Sequence, residues 1–484
     1  PLIPLLGNFH QLPPDYQEKT FAQWGAKYGD IIYAQFFMKP TIILNSVQAA
    51  RDLLEKRSSK YSGRPHSVLQ EELLGWDRFL VYIDYGDLWR KHRKWIHGFF
   101  NDKTALTAWQ VIQHREVSVL LSSLVSSPAR FETHLKRYSS ALIMETVYGH
   151  TVRTTEDEYV HIMNEAMRRS VEGEGAATSL VDFIPILNHL PTWMPGAQFK
   201  REALVTKVIV REAGSRPYNM VKTQHGTGTA KPSVVESLIE TSVREGSLDQ
   251  DEIDIIGTGS ALYGPGTDTT TTVMMTFFLA MTLHPETLRK AQEEVDRVVG
   301  PDRLPDFSDR ESLPYTECIF KECHRWICPS PLGIPHRATE DDEYLGYHIP
   351  KGTMIIPNIW SVQKRPYAYV YLDPQAFRPE RYLTMDSATA EYADPLEYTF
   401  GFGRRICPGR QFADTSVWLA IAGILATMTI CKERDATGKE VIPEVAYTSG
   451  IVSHVHSFTC AILPRSEQAK RLISQTNLNI GMCG

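Results

Sequence analysis

The stretch FGFGRRICPGR, residues 400–410, constrains this chain more than any other. It sets one cysteine, Cys407, between glycines and arginines, and follows it at once with a proline and a long apolar pattern. A thiolate is a strong, soft metal ligand but must be held against protonation, and the free N–H groups and positive dipole end of a helix's first turn do this. Pro408 suits a first helical position, because its ring presets φ and its missing N–H would have no partner there. The pattern therefore predicts a helix that begins at the cysteine. Gly401, Gly403 and Gly409 let the backbone turn sharply and let a large flat ligand approach without Cβ atoms in the way. Arg404 and Arg405 bring positive charge for anionic groups on that ligand. The apolar run over residues 412–430 contains Asp414 and several threonines, which favours a buried helix over a membrane span.

The rest of the chain supplies the frame. Residues 31–37 and 41–45 read as strands and residues 46–57 have helical period. From residue 87 to about 326 nearly everything reads as helix, broken at the Pro/Gly clusters 190–197 and 225–233. Strand signals return at 353–360 and 457–464, so the fold class is mainly α with a smaller β region. With 42% hydrophobic residues in 484, the chain can bury a large core. A net charge of -6 excludes a general basic field for nucleic acid. Seven cysteines, an odd number spread over this length, are no disulfide framework and point to a reducing compartment. Cys318, Cys323, His324 and Cys328 fit no common zinc spacing.

A lone thiolate beside arginines in a glycine-bounded loop is what a haem iron with a cysteine ligand requires. Phe400, Gly403, Arg405, Cys407 and Gly409 match, position by position, the haem loop of the cytochrome P-450 family, the haem-thiolate monooxygenases, which this chain resembles over nearly its whole length. The resemblance implies that Cys407 is the metal ligand and that the cofactor is haem b, iron protoporphyrin IX. Trp89 and Arg93, four apart and so on one helix face, resemble the family's Trp-x-x-x-Arg that holds a haem propionate. His336 lies where members often place another propionate donor. Neighbouring Arg90, Lys91 and Lys94 read as a solvated basic face that could dock an acidic redox partner. Glu322 and Arg325, followed by Pro379, Glu380, Arg381 and Tyr382, resemble the family's buried charge triad, with a structural role.

Residues 261–272, ALYGPGTDTTTT, resemble the long helix that crosses above the haem. Gly266, Asp268 and Thr269 fit its small-x-acid-Thr pattern, and the acid and alcohol are the expected catalytic pair that passes protons to dioxygen. Pro265 departs from the family's usual Ala or Gly and is expected to kink the helix. A phosphate-cradling loop is excluded, since no Lys follows Gly266 as a P-loop requires.

As a whole the resemblance implies one cytochrome P-450 catalytic domain over residues 1–484, resembling microsomal fungal, especially basidiomycete, members. The expected activity is insertion of one oxygen atom from dioxygen into a hydrophobic aromatic, terpenoid or xenobiotic compound. Its pocket is expected from residues 67–85, 261–269, 330–335 and the surroundings of Ile451. Electrons are expected from a separate NADPH-cytochrome P-450 reductase, with cytochrome b5 as a second donor. The opening PLIPLLGN looks like a proline hinge after a missing membrane anchor, which implies a monomer at the endoplasmic reticulum membrane with its catalytic domain on the cytoplasmic side. Two alternatives are a haem-thiolate isomerase or dehydratase acting on a peroxide, and a non-enzymatic haem carrier or sensor.

Overall fold

The computed structural model describes residues 3–100, 103–171, 180–364, 373–386, 389 and 392–481. Its β region gathers segments remote in the chain. β1 (Ile31–Phe36) and β2 (Lys39–Leu44) form an antiparallel hairpin. Much later come β3 (His336–Arg337), the hairpin of β4 (Asp342–Tyr344) and β5 (Tyr347–Ile349), and β6 (Met354–Pro357). The main sheet has the order β1-β2-β6-β3, with β2 and β6 parallel and the other neighbours antiparallel. Thr41 to Leu44 and Met354 to Pro357 are buried at every position, which is why these runs are continuously apolar and do not alternate. A last antiparallel pair joins β7 (Met428–Cys431) to β8 (Ala461–Pro464).

Between the strands lies the helical body. Counting helices of three turns or more, it comprises α1 (Gln17–Tyr28), α2 (Asp87–Phe100), α3 (Lys103–Ser126), α4 (Phe131–Tyr148), α5 (Glu158–Val171) and α6 (Gln198–Gly226). It continues with α7 (Val234–Glu245), α8 (Leu248–Leu283), α9 (Pro285–Val298), α10 (Pro314–Trp326), α11 (Arg410–Thr427) and α12 (Glu467–Gly481). α8 is the axis: 36 residues long and buried without a break from Thr270 to Thr282. Its glycines admit the neighbours. A Cβ on Gly259 would stand 2.6 Å from the Tyr148 hydroxyl, and one on Gly266 would stand 3.0 Å from Cδ1 of Ile143, both on α4. One on Gly264 would meet Sδ of Met167 on α5 at 2.4 Å.

The mainly α architecture with a small β region is the expected one, with local corrections. α8 stays helical through Pro265, which withholds the N–H that the Ala261 carbonyl would otherwise accept. The 353–360 strand ends at Pro357, and a short helix, Ile359–Lys364, takes Trp360, because the Asn358 side chain accepts from the Ser361 N–H and caps that helix. Residues 412–430 are a buried helix only as far as Thr427; Met428 to Ile430 turn into β7. The 457–464 signal yields a strand only over β8. Among the described residues no helix is long and apolar enough to cross a membrane.

Candidate active site

A cavity of about 320 Å3 lies between α8 and the cysteine loop, with Cys407 in its wall. The loop is held by its own backbone: the Cys407 N–H donates to the Phe400 carbonyl at 2.8 Å, and Arg93 Nη1 on α2 donates to the Ile406 carbonyl at 2.6 Å. The helix does not begin at the cysteine. Its first residue is Arg410 and its N-cap is Gly409, because Pro408 and Gly409 form a turn ahead of it. The sulfur still meets the amino end of α11. Burial pushes the Cys407 thiol up, while the Gly409 N–H and the Arg93 and Arg410 charges pull the other way.

The loop glycines serve different ends. Gly401 and Gly403 have φ of +81° and +53°, where a side chain is strained. A Cβ on Gly403 would lie 2.2 Å from the Leu54 carbonyl oxygen, so this glycine seats the loop on the π-helix Arg51–Lys56 and not on a ligand. Gly409 has an ordinary φ of -91° and open space beside it, and with Gly401 it lines the cavity where a flat ligand would lie.

At one end the cavity is strongly basic. Arg405 donates through Nε to the Ser62 carbonyl at 2.8 Å and lies over the Trp89 ring at 4.9 Å from its centroid. Its Nη1 and Nη2 are buried and find no hydrogen-bond partner among the described residues, and burial lowers its pKa to about 10. Arg93, Arg64 and His336 line the same end. His336 Nδ1 donates to the Tyr61 carbonyl at 2.8 Å, so a neutral ring presents only an acceptor, and it would donate to a carboxylate only when protonated. Burial and the Arg64 charge hold that ring well below the usual histidine pKa. Buried, unpartnered guanidinium nitrogens beside a thiol that faces the cavity are the donor set for a ligand with carboxylates at one edge and a thiophilic metal at its centre. The residues present therefore fit haem.

The opposite wall is nearly all hydrocarbon. Phe79 and Val81 come from the segment before α2, Leu142 and Ile143 from α4, Ala261 from α8 and Ile451 from the loop before β8. A few hydroxyls, Ser139, Thr270 and Ser330 among them, and the acid-alcohol pair Asp268 and Thr269 break it. Thr269 Oγ1 donates to the Pro265 carbonyl at 2.7 Å, which leaves its lone pairs to accept from a cavity water. Burial pushes the Asp268 carboxyl above the usual aspartate range, and the His454 and Lys136 charges offset this only in part.

The structure thus gathers Trp89, Arg93, His336, Phe400, Gly403, Arg405, Cys407, Gly409, Asp268 and Thr269 around one cavity or its loop, and the four expected pocket segments all contribute. Two basic residues depart from their readings. Arg404 is exposed and donates to the Tyr85 hydroxyl at 2.8 Å, away from the cavity. Lys91 is no free surface cation: it pairs with Asp251 and Asp254 at 2.6 Å each, tying α2 to the start of α8. Sequence reasoning missed Arg64, whose buried guanidinium donates to the Val81, Ile334 and Pro335 carbonyls, and the α4 and α5 side chains of the wall. Helical period marks the latter as core-facing but does not say that the core is hollow there.

The family model for Cytochrome P450 matches residues 1–440. Cytochrome P450 monooxygenase 176 of Postia placenta is 46% identical over 478 residues, covering 99% of this chain and 92% of that protein. Cytochrome P450 monooxygenase claR of Ampulloclitocybe clavipes is 37% identical over 472 residues, covering 97% and 87%. A zebrafish cytochrome P450 solved with abiraterone superposes with a TM-score of 0.75 over 94% of this chain and all of that one, at 22% identity, a likeness of fold. Thiol loop, basic end and long crossing helix agree with these matches along the whole chain, which belongs to the cytochrome P450 family, the haem-thiolate monooxygenases, and resembles its fungal members.

Proposed function

We propose that the chain, as one catalytic domain, inserts an oxygen atom from dioxygen into a hydrophobic small molecule of aromatic, terpenoid or xenobiotic type. The observation that carries this reading is the adjacent acid and alcohol, Asp268 and Thr269, set in a largely hydrocarbon wall of the cavity that Cys407 also lines. Haem b, when bound, would supply the redox chemistry of dioxygen activation. Cys407 would ligate its iron, the Gly409 N–H would steady the thiolate, and Arg93 and Arg405 would hold the propionates, with the neutral His336 ring beside them as an acceptor only. The apolar wall would bind and orient substrate and exclude bulk water. Asp268 would hold a proton, and the Thr269 oxygen would accept a hydrogen bond from the water that receives it. Electrons would come from a separate NADPH-cytochrome P-450 reductase, with cytochrome b5 as a second donor. The protein would act as a monomer at the cytoplasmic face of the endoplasmic reticulum membrane, a reading that rests on its likeness to fungal cytochrome P450 monooxygenases.

The test is the ratio of product formed to NADPH oxidised in a reconstituted system with a panel of lipophilic compounds. Thr269→Ala is expected to keep consuming NADPH while product falls several-fold and hydrogen peroxide rises, and Thr269→Ser to restore coupling. Wild-type turnover of a hydroperoxide without NADPH or dioxygen would point to the rearrangement reaction instead.

A further inference from the structure

Monooxygenation consumes two protons and two electrons for each dioxygen, one oxygen atom leaving in product and the other in water. The electrons come from the reductase, but the protons must cross a largely hydrocarbon wall in which Asp268 is the one carboxyl among the described lining residues. A carboxyl that gives up its proton each turnover has to regain one from solvent.

The segment before β8 is pinned to α8 one turn beyond Asp268. Thr272, one turn further along α8, donates through Oγ1 to the Ser453 carbonyl at 2.9 Å. The Ser453 N–H donates to the Pro329 carbonyl at 2.9 Å, and the Ser330 hydroxyl donates to the Ile451 carbonyl at 3.1 Å. The chain also folds back on itself, with the Thr448 N–H donating to the His454 carbonyl at 2.8 Å and the His454 N–H donating to Thr448 Oγ1 at 3.0 Å. These bonds fix residues 451–454 against α8 from several sides. Ile451 and Val452 face the cavity, and His454, half-buried and next in the chain after the pinned Ser453, lies within electrostatic reach of Asp268.

We propose that His454 is the solvent-side member of a proton route to Asp268. The imidazolium passes its proton through an intervening water to the Asp268 carboxylate, since no direct hydrogen bond joins the two, leaving a neutral ring and a neutral carboxyl. The ring recovers a proton from water, and Asp268 delivers its own into the cavity. The inference rests on the role given above to Asp268. The charged groups facing Asp268 are few: His454 from this loop and Lys136 from α4, with the Tyr263 phenol on α8 itself. Outside them, Glu132 on α4 accepts from the Ser457 hydroxyl and the Phe458 N–H. Lys136 is exposed, and lysines hold their proton about four units more tightly than histidines, so a lysine tunes a carboxylate but does not refill it near neutral pH.

The test uses the haem-loaded protein with reductase and three variants, His454→Gln, His454→Lys and Asp268→Asn. Two quantities are read: the rate and coupling of NADPH oxidation, and the titration of the Asp268 carboxyl by its C=O infrared band, identified as the band lost in Asp268→Asn. His454→Gln removes charge and shuttle together; it should move the Asp268 titration to higher pH, slow turnover roughly tenfold and enlarge the solvent isotope effect. His454→Lys keeps the charge but not the shuttle, so the Asp268 titration should stay near wild type while turnover remains slow. Wild-type turnover in His454→Lys would make the residue an electrostatic neighbour only and overturn the proposal, as would an unmoved titration in His454→Gln. If Asp268→Asn slows turnover and His454→Gln does not, this inference falls alone; if Asp268→Asn is itself without effect, the role of Asp268 falls with it.

Discussion

Arg405 has two buried guanidinium nitrogens with nothing among the described residues to donate to, which burdens the unliganded fold and gives a carboxylate ligand two free donors. Arg405→Leu should therefore stabilise the haem-free protein by about 1–3 kcal/mol while lowering haem retention, read by chemical denaturation of the apoprotein and by haem content after gel filtration. Loss on both counts would mean that the guanidinium is structural. The loop glycines allow a sharper contrast. Gly403→Ala would combine a strained φ with a Cβ 2.2 Å from the Leu54 carbonyl and should prevent the loop from seating, with loss of haem. Gly409→Ala meets nothing within 4 Å and should fold normally, as checked by circular dichroism of the haem-free protein. In the sequence these glycines read alike. Only the contact with Leu54, about 350 residues away in the chain, separates them.

At the scale of elements, the end of α10 is locked to the 3-10 helix Pro379–Tyr382. Glu322 accepts from Arg325 Nε at 2.7 Å, Arg381 Nε at 3.1 Å, the Tyr382 hydroxyl at 3.1 Å and the Arg378 N–H at 2.8 Å. Glu322 and Arg325 have no exposure at all. Removing one partner of such a group leaves buried charge behind, so Glu322→Gln should cost about 3–5 kcal/mol in urea unfolding. A cost below about 1 kcal/mol would show that water reaches the triad. The triad was legible because its spacing lies in short local motifs. The bounds of elements were less so. Pro408 reads as a helix's first residue but belongs to a turn, and Trp360 reads as strand but follows an Asn358 cap, because caps and turns override local propensity.

The molecule as a whole carries an acid-sensitive point. His324 on α10 is buried beside Phe320 and Phe400, both ring nitrogens lack partners among the described residues, and burial lowers its pKa from 6.5 to about 4. A depressed pKa means stability that is present above pH 6.5 and lost as pH falls towards 4, because the unfolded chain takes up the proton first. The loss should amount to about 3 kcal/mol between urea unfolding at pH 7 and at pH 4, and His324→Leu should abolish that share of the acid slope. Fold class and thiol loop were legible from periodicity and one motif. The cavity wall was not, since α4, α5 and the loop at Ile451 face it only through long-range packing.

That wall also bears on the order in which the protein can be made. Its members run from Arg64 to Val452, and the hydrogen bonds of Thr272 and Pro329 to Ser453 close it. Helices emerging early from a ribosome can pack as they appear. The haem chamber, however, has no complete boundary until the chain has been synthesised past residue 453. Cofactor capture is therefore a late event, and a nascent chain halted before that point would carry its thiol in a chamber open on one side.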